Sequence, residues 1–466
     1  MSAHHGRLPL AGLAMLLQAC VPAYELRPTL EALEVPKDAD FIYESAEERE
    51  RHPNRYFYEV PAASFGPLPR IVLEPRVRTE LDENADLADS GVQARALLRT
   101  RILIDSGSFH EIANYRVELQ DSRELFSARD EPETAPLDVR QAYLFLSTAR
   151  GLWGVKLGRQ EIDLGSSRLL GANWYDNLGV SFDGVRLTLA DLWSRFEPRQ
   201  WSWRADFFAA AAVEHDAGAF DGSHLPRRIA GAWYSDRRIY PLRADGALLY
   251  TWGESAGPDE SLVTLAGALS GLRLTRTEGL SFEAELAVQL GRLGGLDHLA
   301  AMGAGSVAYV WPTPWEVRLS ARAVYASGDR DPSDEKSGAF VAPFPGDLRA
   351  DTGLLGLVGL RNSSAAGLGL SFEPLENLRV GAEVRWLGLA EDSDYWYDAE
   401  GEPRAVAVGG RYLGRELAIR GSYVITTSSG KELSVDGGYA VFEPASTISG
   451  DPATVQGLYL QATLRF

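Results

Sequence analysis

Arginines recur at alternate positions along several stretches of this chain: Arg76 and Arg78, Arg99 and Arg101, Arg318 and Arg322, Arg379 and Arg385. Side chains two apart on a strand share one face, so each set presents guanidinium forks to one side. Such forks pair bidentately with carboxylates, each charge-assisted bond contributing ~1.5–3 kcal/mol net where water is partly excluded. A ring of them around an aqueous passage attracts and guides a polyanion, yet holds it weakly enough per site to let it move on. Acidic residues share these faces: Glu74, Glu80, Glu118, Asp206, Glu283, Glu285, Glu316 and Glu383. The same pattern therefore serves equally well as a ladder of Arg–Glu pairs between neighbouring strands, and the residues leave both readings open.

Catalytic chemistry has less to build on. The histidines are His4, His5, His52, His110, His215, His224 and His298, and no two have metal-ligand spacing. His110-Glu111-Ile112-Ala113-Asn114 has half of a zinc-peptidase helix but lacks the second His. No Gly-x-Ser-x-Gly elbow and no phosphate loop occur. His215 beside Asp216 is the one adjacent pair with the residue types of a hydrolase, and adjacent Asp and His in a loop are usually just solvated. No enzyme, metal or cofactor is expected.

The 466 residues carry a formal net charge of -19, which argues against a nucleic-acid binder that works by neutralising phosphates. Lys37, Lys156, Lys336 and Lys431 are the only lysines, so 42 of the 46 basic residues are arginine. A single Cys excludes an intrachain disulfide and a cysteine-rich zinc site. Hydrophobic residues make up 45%, enough for a folded structure rather than a disordered chain.

The elements that must position the arginines are strands. Alternation of period two begins at Arg70 and runs to Phe466. Ile71, Leu73, Val77 and Leu81 oppose Glu74, Arg76, Arg78 and Glu80; Leu280, Phe282, Leu286 and Val288 oppose Glu283, Glu285 and Gln289. The segments are roughly ten residues long, enough to cross a bilayer when tilted. About eighteen of them begin near residues 70, 93, 112, 139, 153, 181, 201, 227, 246, 262, 279, 302, 315, 363, 378, 415, 431 and 454. Even-numbered connections are short, as at Trp311 to Pro314 and Glu373 to Asn377; odd ones are long, as at Gln160 to Val180, Ser327 to Arg361 and Gly388 to Tyr412. That parity is expected of periplasmic turns and outer loops. The fold class is all-β: a single antiparallel transmembrane barrel over residues 70–466, of about 18 strands with 16 as the alternative count. The last strand closes on Phe466, which resembles the insertion signal of bacterial outer-membrane barrels.

A closed barrel meets lipid with its apolar face, because a charge facing lipid near the midplane costs ~2–4 kcal/mol. The charged face must line the lumen. The expected substrate-binding residues are Arg78, Arg95, Arg99, Arg101, Arg116, Arg159, Arg186, Arg318, Arg322, Arg379 and Arg385. Strict alternation puts Arg159 on the outer face with Leu157, so it must lie above the membrane or be re-aimed by a bulge.

Residues 1–20 form an export signal, with an apolar run from Leu8 to Leu17 that is too short to span a bilayer. Leu17-Gln18-Ala19-Cys20 resembles a lipoprotein cleavage box, which would make Cys20 a lipidation site; ordinary cleavage after Ala23 is the alternative. Residues 21–69 are proline-punctuated and acidic and are expected to form an irregular periplasmic tail.

Leu157-Gly158-Arg159-Gln160-Glu161, Leu164-Gly165-Ser166, Arg168-Leu169 and Ser181-Phe182-Asp183-Gly184-Val185-Arg186 together resemble the alginate-export family of outer-membrane barrels. Ala326-Ser327-Gly328-Asp329, Phe340-Val341-Ala342-Pro343-Phe344-Pro345, and Trp386 followed by Asp392, Asp394 and Tyr395 are similar to that family as well. The resemblance covers roughly residues 70–466. It implies an 18-stranded barrel with an electropositive constriction that passes a uronic-acid polysaccharide outwards. The implied partners are outer-membrane lipid, the anionic polysaccharide and periplasmic secretion or synthesis proteins, with no nucleic acid; the oligomeric state is not encoded in any motif. The alternatives are a general or small-solute porin and a plugged structural or adhesive barrel.

Overall fold

The computed structural model describes residues 69–466 except 89, 107–112, 127–132, 148–152, 191–202, 216–221, 223–226, 237, 239–241, 254–259, 272–278, 376, 405, 407 and 428–430. The export signal, Cys20, nearly all of the acidic tail, His110, Asp216 and His224 lie outside the described residues.

The chain runs β1 (Arg70–Glu83), β2 (Val92–Asp105), β3 (Ala113–Leu125), β4 (Ala135–Ser147), β5 (Trp153–Gln160), β6 (Phe182–Ala190), β7 (Trp203–Ala212), β8 (Arg228–Asp236), β9 (Leu242–Gly253) and β10 (Glu260–Gly271). It continues through β11 (Gly279–Leu293), β12 (Leu296–Val310), β13 (Arg318–Ala326), β14 (Lys336–Ser337), β15 (Ser363–Leu375), β16 (Leu378–Gly388), β17 (Tyr412–Thr426), β18 (Glu432–Pro444) and β19 (Val455–Arg465). One short helix, α1 (Arg349–Thr352), lies between β14 and β15. Each wall strand pairs antiparallel with its neighbours, and β1 pairs with β19 from Arg76↔Thr463 to Glu83↔Gln456, so the sheet closes on itself. The two-residue β14 is not a wall strand; it pairs parallel with the end of β12, and eighteen strands form the barrel.

The alternation sorts the two faces as the sequence requires. On β1, Val72, Glu74, Arg76, Arg78 and Glu80 are buried inside, while Ile71, Leu73, Val77 and Leu81 are exposed outside. The outer surface carries two aromatic girdles of the kind that mark bilayer interfaces. Trp153, Trp203, Tyr234, Tyr309, Trp311 and Trp315 sit near the short turns, and Tyr250, Trp252, Tyr325, Trp386 and Tyr412 near the long loops.

Five strand starts differ from the sequence reading by three residues or more: β4, β9, β12, β13 and β17 begin at Ala135, Leu242, Leu296, Arg318 and Tyr412 rather than near 139, 246, 302, 315 and 415, and two of these have a clear local reason. β12 starts at Leu296 rather than near 302, because Gly294 and Gly295 (φ +62° and +81°) make a two-residue hairpin turn that pairs Leu293 with Leu296. β13 starts at Arg318 rather than Trp315. The Trp311 amide donates to the Val317 carbonyl at 2.9 Å, closing a turn, and Glu316 (φ +46°) lies in that turn and not on the lumen face.

The interior is not an open tube of full width. The connection between β5 and β6 and the one between β13 and β15 fold inwards at the long-loop half. Leu164, Leu169, Leu170, Phe340, Phe344 and Leu348 from these loops pack against inward-facing Phe182, Phe208, Ile229, Trp233 and Leu249 of the wall. The expected polar lumen thus holds an apolar cluster along β6 to β9, a set of inward apolar positions that the alternation pattern did not flag.

Candidate functional site

The arginines of β1 and β2 face each other across the ladder, Arg76 directly opposite Arg99. Like charges so placed repel unless something intervenes. The inward loop at Trp174 to Asn177 intervenes with backbone carbonyls. Arg76 donates from Nη1 to the carbonyls of Trp174 (3.1 Å) and Tyr175 (3.0 Å), and from Nη2 to the carbonyl of Asp176 and to Asn177 Oδ1 (3.2 Å each). Arg99 Nη1 donates to the carbonyls of Trp174 and Asp176 at 3.2 Å, and Arg78 donates to that of Tyr175. Arg101 lies 4.5 Å from the Trp174 ring centroid and donates from Nε to Gln120 Oε1 at 2.7 Å.

The second inward loop is gripped in the same manner. Arg322 Nη1 donates to the Ala350 carbonyl at 2.9 Å. Arg385 reaches the Arg349 carbonyl at 3.0 Å and that of Ala350 at 2.8 Å, and Arg420 reaches the Arg349 carbonyl at 3.2 Å. Helix α1 is therefore held by three wall arginines through its main chain. Its Arg349 side chain stacks on Tyr175 of the first loop. The loops also meet through a bridge between Leu170 and Phe344 and through Arg168, which pairs with Asp351 at 2.8 Å and with Glu285 of β11 at 2.9 Å.

A carbonyl oxygen satisfies a guanidinium donor without cancelling its charge. The arc from β13 through the β1–β19 closure to β2 carries these arginines together with Glu74, Glu80, Glu383 and Glu416, while β10 and β11 supply Glu260, Glu283 and Glu285. Within the loops, burial and the neighbouring Glu133 push the Asp176 carboxyl up to about 7. Burial would also raise Asp347, but Arg349 alongside holds it down at about 2.

The remaining expected arginines are placed as follows. Arg95 forms an ion pair with Glu80 (2.5 Å) and Glu133 (2.9 Å), Arg116 with Asp105 (2.7 Å), Arg186 with Asp206 (2.9 Å), and Arg379 donates from Nε to Glu373 at 3.0 Å. Arg318 opens β13 on the lumen side, half-buried. Arg159 stands on the outward face at the loop end of β5, paired with Asp183 at 2.8 Å and with the Val139 carbonyl at 3.1 Å. Arg78, Arg99, Arg101, Arg322 and Arg385 come together around the inward loops; Arg116, Arg318 and Arg379 lie towards the short turns, Arg186 at the middle of β6 and Arg95 near the long-loop end of β2; Arg159 belongs to none of these groups.

The motifs noted in the sequence turn out to be each other's partners. Gly158, Arg159 and Gln160 lie in register against Gly184, Asp183 and Phe182. Gly158 has φ +116°, and a Cβ there would stand 2.3 Å from the Ala142 carbonyl, so only glycine fits. The Asp329 amide donates to Asp394 at 2.9 Å, and Ser393 Oγ donates to the Asp329 carbonyl at 2.9 Å. Asn362 joins this network by donating to the carbonyls of Glu391 and Tyr395, both at 2.9 Å. Asn362, Arg168 and Arg349 were not anticipated as site residues, because loop residues carry no periodic signal.

A family model described as alginate export matches residues 70–454. Similar solved structures include Pseudomonas aeruginosa OccK11 (OpdR), at 14% identity and TM-score 0.57, covering 87% of this chain and 98% of that one. Pseudomonas aeruginosa OccK3 (OpdO) aligns at 11% identity and TM-score 0.57, covering 89% and 99% of the two chains. Acinetobacter baumannii OccAB2 aligns at 10% identity and TM-score 0.57, covering 86% and 100%. At these identities the likeness is one of fold. No curated protein matches by sequence.

Proposed function

The chain belongs to the alginate export family, an outer-membrane barrel channel, and from that premise we propose that it exports an acidic, uronate-type polysaccharide through an arginine-lined lumen. The observation that carries this reading is the capping of Arg76, Arg322 and Arg420 by backbone carbonyls, with Arg99 and Arg385 adding carbonyl bonds to their pairs with Glu74 (3.8 Å) and Glu383 (2.8 Å). A carbonyl cap, unlike a carboxylate, adds no negative charge, which leaves more of the guanidinium field for a polyanion. Periplasmic synthesis or secretion proteins would deliver the polymer. The lumen performs binding and guidance, with no chemical step.

Planar-bilayer recording of the full chain tests this. Anion-selective current blocked by oligouronates, and not by neutral oligosaccharides of equal length, is the expected result. Replacing Arg99, Arg101, Arg318 and Arg322 together by Ser moves the reversal potential towards zero; an unmoved potential overturns the reading. The apolar cluster of the inward loops favours one competing reading, a permanently plugged structural barrel. Absence of any conductance would establish that one. Weak selectivity without block would indicate a small-solute porin.

A further inference from the structure

The strand arginines that face outwards near the long loops have a carboxylate beside them, with one exception among the described residues. Arg123 pairs with Asp121 at 2.8 Å, Arg159 with Asp183 at 2.8 Å and Arg415 with Glu443 at 2.7 Å, and Arg292 faces Asp297 at 3.7 Å. Arg228, which opens β8 at its long-loop end, is exposed, and its side chain has no ion pair or hydrogen bond among the described residues. The carboxylate on the end of β10 does not serve it: Glu260 is buried on the lumen side and takes Arg227 at 2.5 Å. Arg228 stands directly across from Trp252 of the outer aromatic girdle, at the level where lipid head groups meet a barrel wall.

Below Arg228 the outward face of β7 to β9 is hollow. Ala230 and Ala232 of β8 form a floor, with Ala209 and Phe207 of β7 beside them on one side and Tyr250 and Leu248 of β9 on the other. Phe207 and Leu248 are exposed and rise as walls over Ala232. The groove is deepest at this point, where Tyr234 closes it on the short-turn side. From Arg228 to Tyr234 the slot follows β8 for about 20 Å at ~3.3 Å per residue, long enough to seat one acyl chain. Tyr250 and Trp252 stack with ring centroids 5.0 Å apart and planes at 16°, a flat aromatic wall at the head of the slot.

We propose that β7 to β9 carry, on the outside of the barrel, a binding site for one phosphorylated glycolipid of the outer leaflet, of the lipid A type. Arg228 holds a phosphate, for which a guanidinium fork is the matched donor. The sugar ring lies against Trp252, and one acyl chain fills the slot over Ala230 and Ala232. Long loops face the exterior, so the unpaired cation lies in the leaflet where such a glycolipid resides. The slot itself lies between the two girdles, where the wall meets hydrocarbon. The site concerns the outer surface alone and is independent of what passes through the lumen.

Native mass spectrometry of the delipidated full-length chain in detergent, titrated with bis-phosphorylated lipid A, tests the site. One firmly held lipid A per barrel is expected. Arg228→Gln weakens its retention about tenfold, the loss of one charge-assisted bond, and removing the phosphates from the lipid does the same. Ala232→Phe fills the slot without altering any charge and also lowers retention. Arg415→Gln, which removes an arginine that already has a carboxylate, leaves it unchanged. Equal retention by the unaltered chain, Arg228→Gln and Ala232→Phe overturns the site, and so does phosphatidylethanolamine held as firmly as lipid A. Barrel dimers that dissociate in Ala232→Phe would make a second copy of the chain the occupant and overturn it too.

Discussion

The guanidinium of Arg168 forks onto the carboxylate of Asp351, Nε to Oδ2 at 2.8 Å and Nη2 to Oδ1 at 3.0 Å, and so joins two inward loops 183 residues apart in sequence. The same guanidinium reaches Glu285 at 2.9 Å and also contacts Glu283, so both loops are fastened to β11 through one side chain. Three acids around one buried cation depend on it for compensation.

Removing that cation therefore leaves buried carboxylates unpaired, which costs about 3–5 kcal/mol when a buried pair is broken from one side. Arg168→Met is expected to release the loops without dissolving the barrel, whose closure rests on the β1–β19 ladder. Single-channel conductance should rise and the 161–181 segment should become sensitive to protease. Asp351→Asn should have a smaller effect, because Glu283 and Glu285 still hold Arg168. Unchanged conductance in Arg168→Met would show that the loops do not limit the current.

The Asp176 carboxyl, pushed up to about 7 by burial and by Glu133, couples loop docking to pH. An acid whose folded value exceeds its unfolded one, ~3.9, binds its proton more firmly when packed. Its packing is favoured at low pH, and that advantage is lost as pH rises through about 7. The open fraction in bilayer records should be greater at pH 8.5 than at 5.5. Asp176→Asn should flatten the dependence and keep the loop docked at both values. A steeper dependence in that variant would place the titrating group elsewhere.

Gly158→Ala places a Cβ against the Ala142 carbonyl at a φ of +116°. Backbone strain of this kind costs about 1–3 kcal/mol, and the clash adds to it by opening the β4–β5 ladder. The urea midpoint of the folded barrel in detergent is expected to fall. A midpoint equal to that of the unaltered chain would mean that the β4–β5 ladder relaxes freely at this position.

The two faces of the wall can be separated chemically, because Cys20 is the only thiol in the chain. In a Cys20→Ser background, Ser371→Cys and Ser434→Cys, on the lumen side, should react with a membrane-impermeant maleimide. Leu286→Cys and Leu417→Cys, outward and exposed to lipid, should not. Reaction at the two leucine positions in intact membranes would contradict the barrel's orientation of faces.

Much of the wall was legible from residue order. Strands expected near 70, 153, 279, 363 and 378 begin at Arg70, Trp153, Gly279, Ser363 and Leu378, because period-two alternation is a local property and lipid on one side admits no other register. Arg78, Arg99, Arg101, Arg322 and Arg385 could be assigned inwards for the same reason. Their partners could not. The expected ladder of Arg–Glu pairs exists in places, as between Arg95 and Glu80 and between Arg385 and Glu383, yet the arginines around the constriction also bind main-chain carbonyls of Trp174 to Asp176 and of Arg349 and Ala350.

The sequence by itself determined which side of each strand meets lipid, since that follows from periodicity, and narrowed the wall to about 18 strands or 16; the closure of β1 on β19 decided for eighteen. Only the tertiary structure decided what fills that cylinder. Every residue has a carbonyl, so a guanidinium that binds one leaves no mark in the amino-acid types. Leu164, Leu170 and Phe344 pack against Phe182, Phe208 and Trp233, wall residues on three different strands whose inward faces only the closed barrel brings to one side of the lumen.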